Sequence, residues 1–296
     1  MHIPADDETL KTMLESANLP ALLPAIVQLT GDRSLLSRFD PPSSPMMGAV
    51  DGDFSPADQA AIRELAFDAL KAYRDGDGTL PDLPSDEMLV EMMNWCAGEP
   101  LPPEYVPLAI EEAALAEPDP RHFEWDEKPA ESTLADFRVV VIGAGFGGVC
   151  AGIRLGQAGI PYTIIEKNDS VGGTWHENSY PDLRVDVPNH FYSYSFAHNP
   201  DWSDYFSRRD ELKAYIERVA RDHGVDGRVR FGTEVVRAEY DAASSSWKVR
   251  VRGADGREEV LEANVVISAV GMLNRPQYPD IPGIDSFAGP CFHSSR

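Results

Sequence analysis

The stretch Val139–Asp186 constrains the fold more than any other. It reads VVVIGAGFGGVCAGIRLGQAGIPYTIIEKNDSVGGTWHENSYPDLRVD. The β-branched run Val139–Ile142 leads into a turn where Gly143, Gly145 and Gly148 fit G-x-G-x-x-G, with Gly147 as an additional small residue. Val149, Ile153, Leu155 and Ala158 then follow at helical spacing, and a second β-branched run, Tyr162–Ile165, ends in Glu166. Each residue type has a physical task. Gly143 permits the tight turn, Gly145 lets backbone N–H groups approach a pyrophosphate, and Gly148 lets the helix pack close to the sheet. The helix N-terminus adds partial positive charge and unpaired donors. Glu166 lies 18 residues after Gly148, near the spacing of about 20 at which an acid meets a ribose. An acid here disfavours a 2′-phosphate, which leaves FAD or NAD.

The sequence following the ribose acid separates these two. Gly172, Gly173, Thr174, Trp175, Asn178, Tyr180, Pro181 and Asp186 form the run GGTW-x-x-N-x-YP-x-x-x-x-D. This run resembles the flavin loop of Baeyer–Villiger monooxygenases and favours FAD. Asp182 stands where that family usually has glycine. The segment Phe287–Arg296 contains Phe287, Gly289 and His293 at the spacing F-x-G-x-x-x-H of the same family's signature, and the sequence stops one residue before the signature's tryptophan. His293 reads equally as a structural hinge and as a group with a direct chemical role.

The resemblance implies an α/β fold: a Rossmann-like FAD-binding domain, with a parallel sheet plus a β-meander, preceded by an all-α N-terminal domain. The expected division is an acidic helical domain at 1–125, a linker at 126–136 and an FAD-binding domain at 137–296. The FAD contacts it implies are Gly143, Gly145, Gly147, Gly148, Glu166, Gly172, Gly173, Thr174, Trp175, Asp186, Tyr192, Val235 and Gly271. Asp186 is also its catalytic candidate, because it matches the aspartate that holds an arginine at the reacting oxygen. In the family that arginine, and a second G-x-G-x-x-G for NADPH, belong to a later domain. The expectation is therefore an N-terminal portion of a flavin-dependent NADPH monooxygenase, truncated before the NADPH domain and inactive alone. The whole family oxidises small-molecule ketones to esters or lactones with FAD, NADPH and O₂. The alternatives are a related nitrogen- or sulfur-oxidising flavin monooxygenase and a non-catalytic FAD-binding or interaction fragment.

Charge narrows the partners. The formal net charge is −23, of which −18 falls on residues 1–130 and −5 on residues 131–296. This excludes nucleic acid and anionic membranes as favoured partners. No apolar run is long enough to span a bilayer. Cys96, Cys150 and Cys291 show no metal spacing, and a reducing cytoplasm fits.

The first part of the chain reads as helices broken by prolines. The expected segments are Asp7–Ala17 with Leu10, Met13 and Leu14 inward, Leu19–Leu29, a helix capped by Ser55 and running to Arg74, another capped by Ser85, and Tyr105–Leu115. Asp40–Asp53 reads as a loop, and Asp75–Thr79 as a helix-ending turn. The helix order, with the echoes Leu29–Asp32 and Ile110–Ala113, resembles the N-terminal extension of 4-hydroxyacetophenone-type enzymes and implies a homodimer.

Further on, the aromatic stretch 189–202 reads either as packing or as a wall near the flavin. Ser207 is expected to cap a helix to His223, with Leu212, Tyr215, Ile216, Val219 and Ala220 facing inward and Arg208, Arg209, Lys213, Arg218 and Arg221 on a solvated face. Strands are expected at 228–232, 233–240, 246–252 and 258–263. Asn264–Gly271 reads as a buried strand.

Overall fold

The computed structural model describes residues 3–42, 51–76, 78–113 and 123–296. Parts of the expected loop at 40–53 and of the turn at 75–79 lie outside the described residues, as do the side chains of Glu112 and Ala113. Two compact units divide the chain, 1–120 and 121–296.

The first unit is helical in its described residues: α1 (Asp7–Glu15), α2 (Leu19–Thr30), α3 (Leu35–Arg38), α4 (Pro56–Asp75), α5 (Asp86–Ala97) and α6 (Val106–Ala113). Side chains of Asp6, Asn18, Ser55 and Ser85 accept the first free N–H groups of α1, α2, α4 and α5, as N-cap chemistry requires. Met13, expected inward, is 60% exposed, while Leu10 and Leu14 are buried. The buried stripe of α1 is narrower than the apolar spacing suggested. Leu19, Leu23, Ile26 and Val27 of α2 are fully or almost fully buried and pack with Ile62, Ala66, Met92 and Trp95. Pro24 lies inside α2. It has no N–H to donate to the carbonyl of Pro20 one turn back, and that carbonyl instead faces the thiol of Cys96 at 3.8 Å. Burial pushes the Cys96 thiol up to about 11, which leaves it unreactive.

The second unit opens with α7 (Glu131–Asp136), within the expected linker. Leu134 of α7 is buried, and the indole N–H of Trp125 reaches the carbonyl of Ala158 at 3.0 Å. The sheet elements follow as β1 (Val139–Ile142), α8 (Phe146–Gln157), β2 (Tyr162–Ile165), α9 (Thr174–Glu177), α10 (Arg209–Asp222), β3 (Val229–Arg230), β4 (Thr233–Asp241), β5 (Ser246–Gly253), β6 (Glu258–Ala263) and β7 (Val265–Ser268). A four-stranded sheet runs in the order β3-β2-β1-β7, and its pairings are parallel. The antiparallel meander is β4-β5-β6.

Strand alternation builds a layered core. Val139 and Val141 of β1 point into one cluster with Val149, Ile153, Leu212 and Ile216. Val140 points the other way, into a second cluster with Ile165, Val249, Val251 and Ala263. Two faces of one short strand thus meet helices on one side and the meander on the other, which explains its lack of polar residues.

Two expectations change. β7 is an edge strand with Val265 39% exposed, not a buried one. A short apolar run does not reveal whether its strand is central or at an edge. Ser207 does not cap α10, which begins at Arg209 with Arg208 in the cap position. Ser207 is buried against Asn189 instead.

Candidate functional site

The carboxyl ends of β1, β2 and β7 bring the glycine turn, Glu166 and the Ala269–Gly271 segment to one edge of the sheet. Open α/β sheets bind ligands at this edge. Gly143 has φ +98°, and its N–H meets the carbonyl of Ile165 at 2.9 Å. A Cβ on Gly143 would lie 2.7 Å from the Ala269 carbonyl oxygen, and one on Gly148 would lie 1.8 Å from the Gly143 carbonyl oxygen. The first and third motif glycines are therefore needed for the fold itself. Gly152, one turn further along α8, is less tight: its Cβ would meet the side chains of Ile164, Tyr162 and Val225 at 3.0–3.1 Å. Gly147 is more open, with only the Ala269 Cβ near, at 3.7 Å.

Gly145 is the N-cap of α8 and faces the second glycine pair. A Cβ on Gly173 would come within 2.9 Å of the Gly145 Cα, and one on Gly145 would come within 3.4 Å of the Gly173 Cα. Gly172 and Gly173 have φ +127° and +52°, and the Gly172 N–H donates to the Ala144 carbonyl at 3.0 Å. The two glycine loops, 24 residues or more apart in sequence, thus form one bare backbone surface at the start of a 12-residue helix. A phosphate group fits such a surface.

Glu166 is 4% exposed. One carboxylate oxygen accepts the Ala144 N–H at 2.7 Å, and the other accepts the Asn168 backbone N–H at 2.9 Å and side-chain amide at 2.7 Å. The acid thereby holds the glycine turn as well as ending β2. A carboxylate offers about four acceptor positions, so it retains capacity for a ribose hydroxyl. The Asn168 amide continues to Glu177 at 3.0 Å, and Lys167 pairs with Glu177 at 2.9 Å. Burial pushes the Glu177 carboxyl up, but the bonds from Lys167 and Asn168 outweigh it and hold the group below its ordinary value.

α9 carries the Thr174-Trp175 pair. Thr174 is exposed and Trp175 is buried. The indole N–H of Trp175 donates to the Tyr192 hydroxyl at 3.0 Å, and the two rings meet edge-on. Tyr192 also packs edge-on to Phe146, the first residue of α8. Tyr194, Tyr215, Phe196 and Trp202 stack into the core behind them, and burial pushes the Tyr194 hydroxyl up. The aromatic stretch is mostly packing, with Tyr192 as its link to the glycine loops; Phe191 is 82% exposed.

Asp186 is exposed and follows a segment pinned to the residues before α10. Val185 N–H donates to Ser207, Arg209 N–H donates to Leu183, and Arg184 and Arg208 form an isolated antiparallel bridge. Asp182 adopts φ +59°. It occupies the left-handed region that a glycine would take without strain, and aspartate is among the few residues that tolerate it. Its carboxylate takes Arg184 at 3.1 Å and faces Arg208 at 3.6 Å. Asp182→Ala is expected to lower stability by about 1 kcal/mol, and Asp182→Gly to be close to neutral, as read from thermal midpoints.

Not every expected residue joins this cluster. Val235 sits on β4 at a register shift and packs into the meander core. Gly271 has φ +75°, and a Cβ there would meet nothing within 4 Å. His293 bonds within its own segment: its N–H donates to the Tyr278 hydroxyl, and its Nδ1 meets Ser295.

On the face of α10 expected to be solvated, Arg208, Arg218 and Arg221 are exposed, whereas Arg209 and Lys213 are half-buried. Lys213 pairs with Glu217, which accepts from Ser170. Arg218 donates to Asn199. Arg209 donates to the carbonyls of Trp175 and His176. Asn189, which carried no sequence signal, is fully buried and bonded to Tyr205, Asp204 and Ser207.

The β-Gly-α-β cradle, the buried acid and the adjoining meander define a Rossmann-like dinucleotide-binding unit. Residues 141–209 match the family model of the NAD(P)-binding Rossmann-like domain, and residues 189–296 match that of L-lysine 6-monooxygenase/L-ornithine 5-monooxygenase. An uncharacterized monooxygenase, y4iD, of Sinorhizobium fredii is 40% identical over 287 residues, which is 96% of this chain and 42% of that protein. A Baeyer–Villiger monooxygenase of Streptomyces coelicolor is 47% identical over 161 residues, 54% of this chain and 30% of that protein. Among solved structures, OTEMO in complex with FAD and NADP is 38% identical at a TM-score of 0.49, covering 54% of this chain and 30% of that one. Over the residues these matches cover, the chain is similar to proteins named as Baeyer–Villiger and FAD-binding monooxygenases. It spans less than half the length of these relatives. No helix among the described residues is long and apolar enough to cross a membrane.

Proposed function

We propose that residues 137–296 bind FAD and that the chain serves the oxidation of a small-molecule ketone to an ester or lactone. The observation that carries this reading is the facing pair Gly145 and Gly173, a backbone surface that a Cβ would fill. Bound FAD, reduced by NADPH, would supply the activation of O₂. The chain's own residues bind and orient it. The α8 N-terminus and the glycine loops receive the pyrophosphate, Glu166 accepts from the adenosine ribose, and Gly172–Trp175 with Tyr192 line the approach to the flavin. Asp186 presents an exposed carboxylate to hold a cation near the reacting oxygen.

Gly145→Ala tests the site. The added Cβ meets only the Gly173 backbone at 3.4–3.8 Å, so the fold should survive while pyrophosphate approach is blocked. The purified variant is expected to lose the visible flavin absorption that the wild-type chain retains. Equal flavin content in both would overturn the assignment.

A second reading, oxidation of an amine nitrogen, draws support from the family match over residues 189–296. Product analysis with a ketone and with an amine separates the two. The match over 287 residues takes in the N-terminal helical unit, which we read as a 4-hydroxyacetophenone-type extension that pairs two copies. Sedimentation of the full chain against residues 121–296 would check this.

A further inference from the structure

We propose that Arg209 is a positioning residue that sets the Gly172–Trp175 loop for the cofactor, an inference that rests on the FAD reading above. α9 is a single turn of four residues. A helix that short has almost no internal hydrogen bonds, and its terminal carbonyls need partners from elsewhere. Arg209 supplies them: its Nε donates to the Trp175 carbonyl at 2.7 Å and an Nη to the His176 carbonyl at 3.1 Å. The planar guanidinium suits two carbonyls held side by side, which a lysine ammonium does not.

Arg209 is itself held. Its N–H donates to the Leu183 carbonyl at 2.9 Å. Two residues earlier, Ser207 is bonded in both directions to the fully buried Asn189. The guanidinium therefore projects from a fixed backbone. At the other end of α9, Gly173 faces Gly145 across the backbone surface assigned to the pyrophosphate. Arg209 thus fixes one end of a four-residue lever whose other end forms the site. Loops left to drift by a few tenths of an ångström lose binding even when every contacting residue is present.

The test compares the wild-type chain with R209A, R209K and R221A. Arg221 is an exposed residue on the same helix, so R221A controls for the lost charge. FAD affinity is read by fluorescence titration, the bound flavin by its visible circular dichroism, and the fold by far-ultraviolet circular dichroism. R209A is expected to bind FAD about tenfold more weakly, with an altered visible spectrum and an intact fold. R209K should fall between it and the wild type, and R221A should match the wild type. Should R209A not fold, R209K carries the comparison, and wild-type affinity in R209K would overturn the proposal. Wild-type affinity in R209A, or an equal loss in R221A, would also overturn it. A wild-type chain that takes up no FAD would remove the cofactor reading and the positioning role together, whereas unaltered uptake in R209A would remove the positioning role alone.

Discussion

Replacing Gly148 by alanine is expected to lower the stability of the C-terminal unit by about 3 kcal/mol. The added Cβ would sit 1.8 Å from the Gly143 carbonyl oxygen. No side chain can rotate away to relieve that contact, because both partners are backbone. Either α8 must move off the sheet or the turn after β1 must open, and each disrupts the packing of Val149 and Ile153 against Val141. Gly147→Ala is the matched comparison. Its Cβ meets only the Ala269 methyl at 3.7 Å, and alanine is the better helix former by about 0.5–1 kcal/mol. Denaturant midpoints should therefore move in opposite directions for two neighbouring glycines. Equal effects would show that the turn is less rigid than described.

Glu166→Gln should cost about 2 kcal/mol although the side chain keeps its size. Three donors converge on the two carboxylate oxygens, one from Ala144 and two from Asn168. A glutamine offers one acceptor and one donor group. Whichever way the amide turns, its NH₂ faces an N–H in a buried site. The loss should appear in the thermal midpoint without any nucleotide present. If stability were unchanged, Glu166 would be reserved for ligand contact and would have no part in holding the turn.

Much of this arrangement was legible because its causes are local. The β-branched runs, the motif glycines and the inward face of α10 (Leu212, Tyr215, Ile216, Val219 and Ala220) follow from spacing along a few turns of chain, and all five of these α10 residues are buried. What escaped is long-range. Nothing near Arg209 in sequence indicates that the carbonyls of Trp175 and His176 need donors. Asn189 becomes a buried clasp only once Tyr205 and Ser207 fold back on it. β7 reads as a core strand by composition, and only the sheet order puts it at the edge. Asp182 is a mixed case. The departure from glycine was visible in the sequence, but the left-handed φ of +59° that Asp182 adopts was not.

The position of Trp175 has a practical consequence. Its indole is buried, hydrogen-bonded to Tyr192 and two residues from Gly173. A native fluorophore is therefore built into the loop assigned to the flavin. Ring rotation or separation from Tyr192 would change its emission, and an acceptor such as a flavin nearby would quench it. With Trp95, Trp125, Trp202 and Trp247 replaced by phenylalanine, the remaining signal would come from that loop, and its occupancy could be followed in real time without a label.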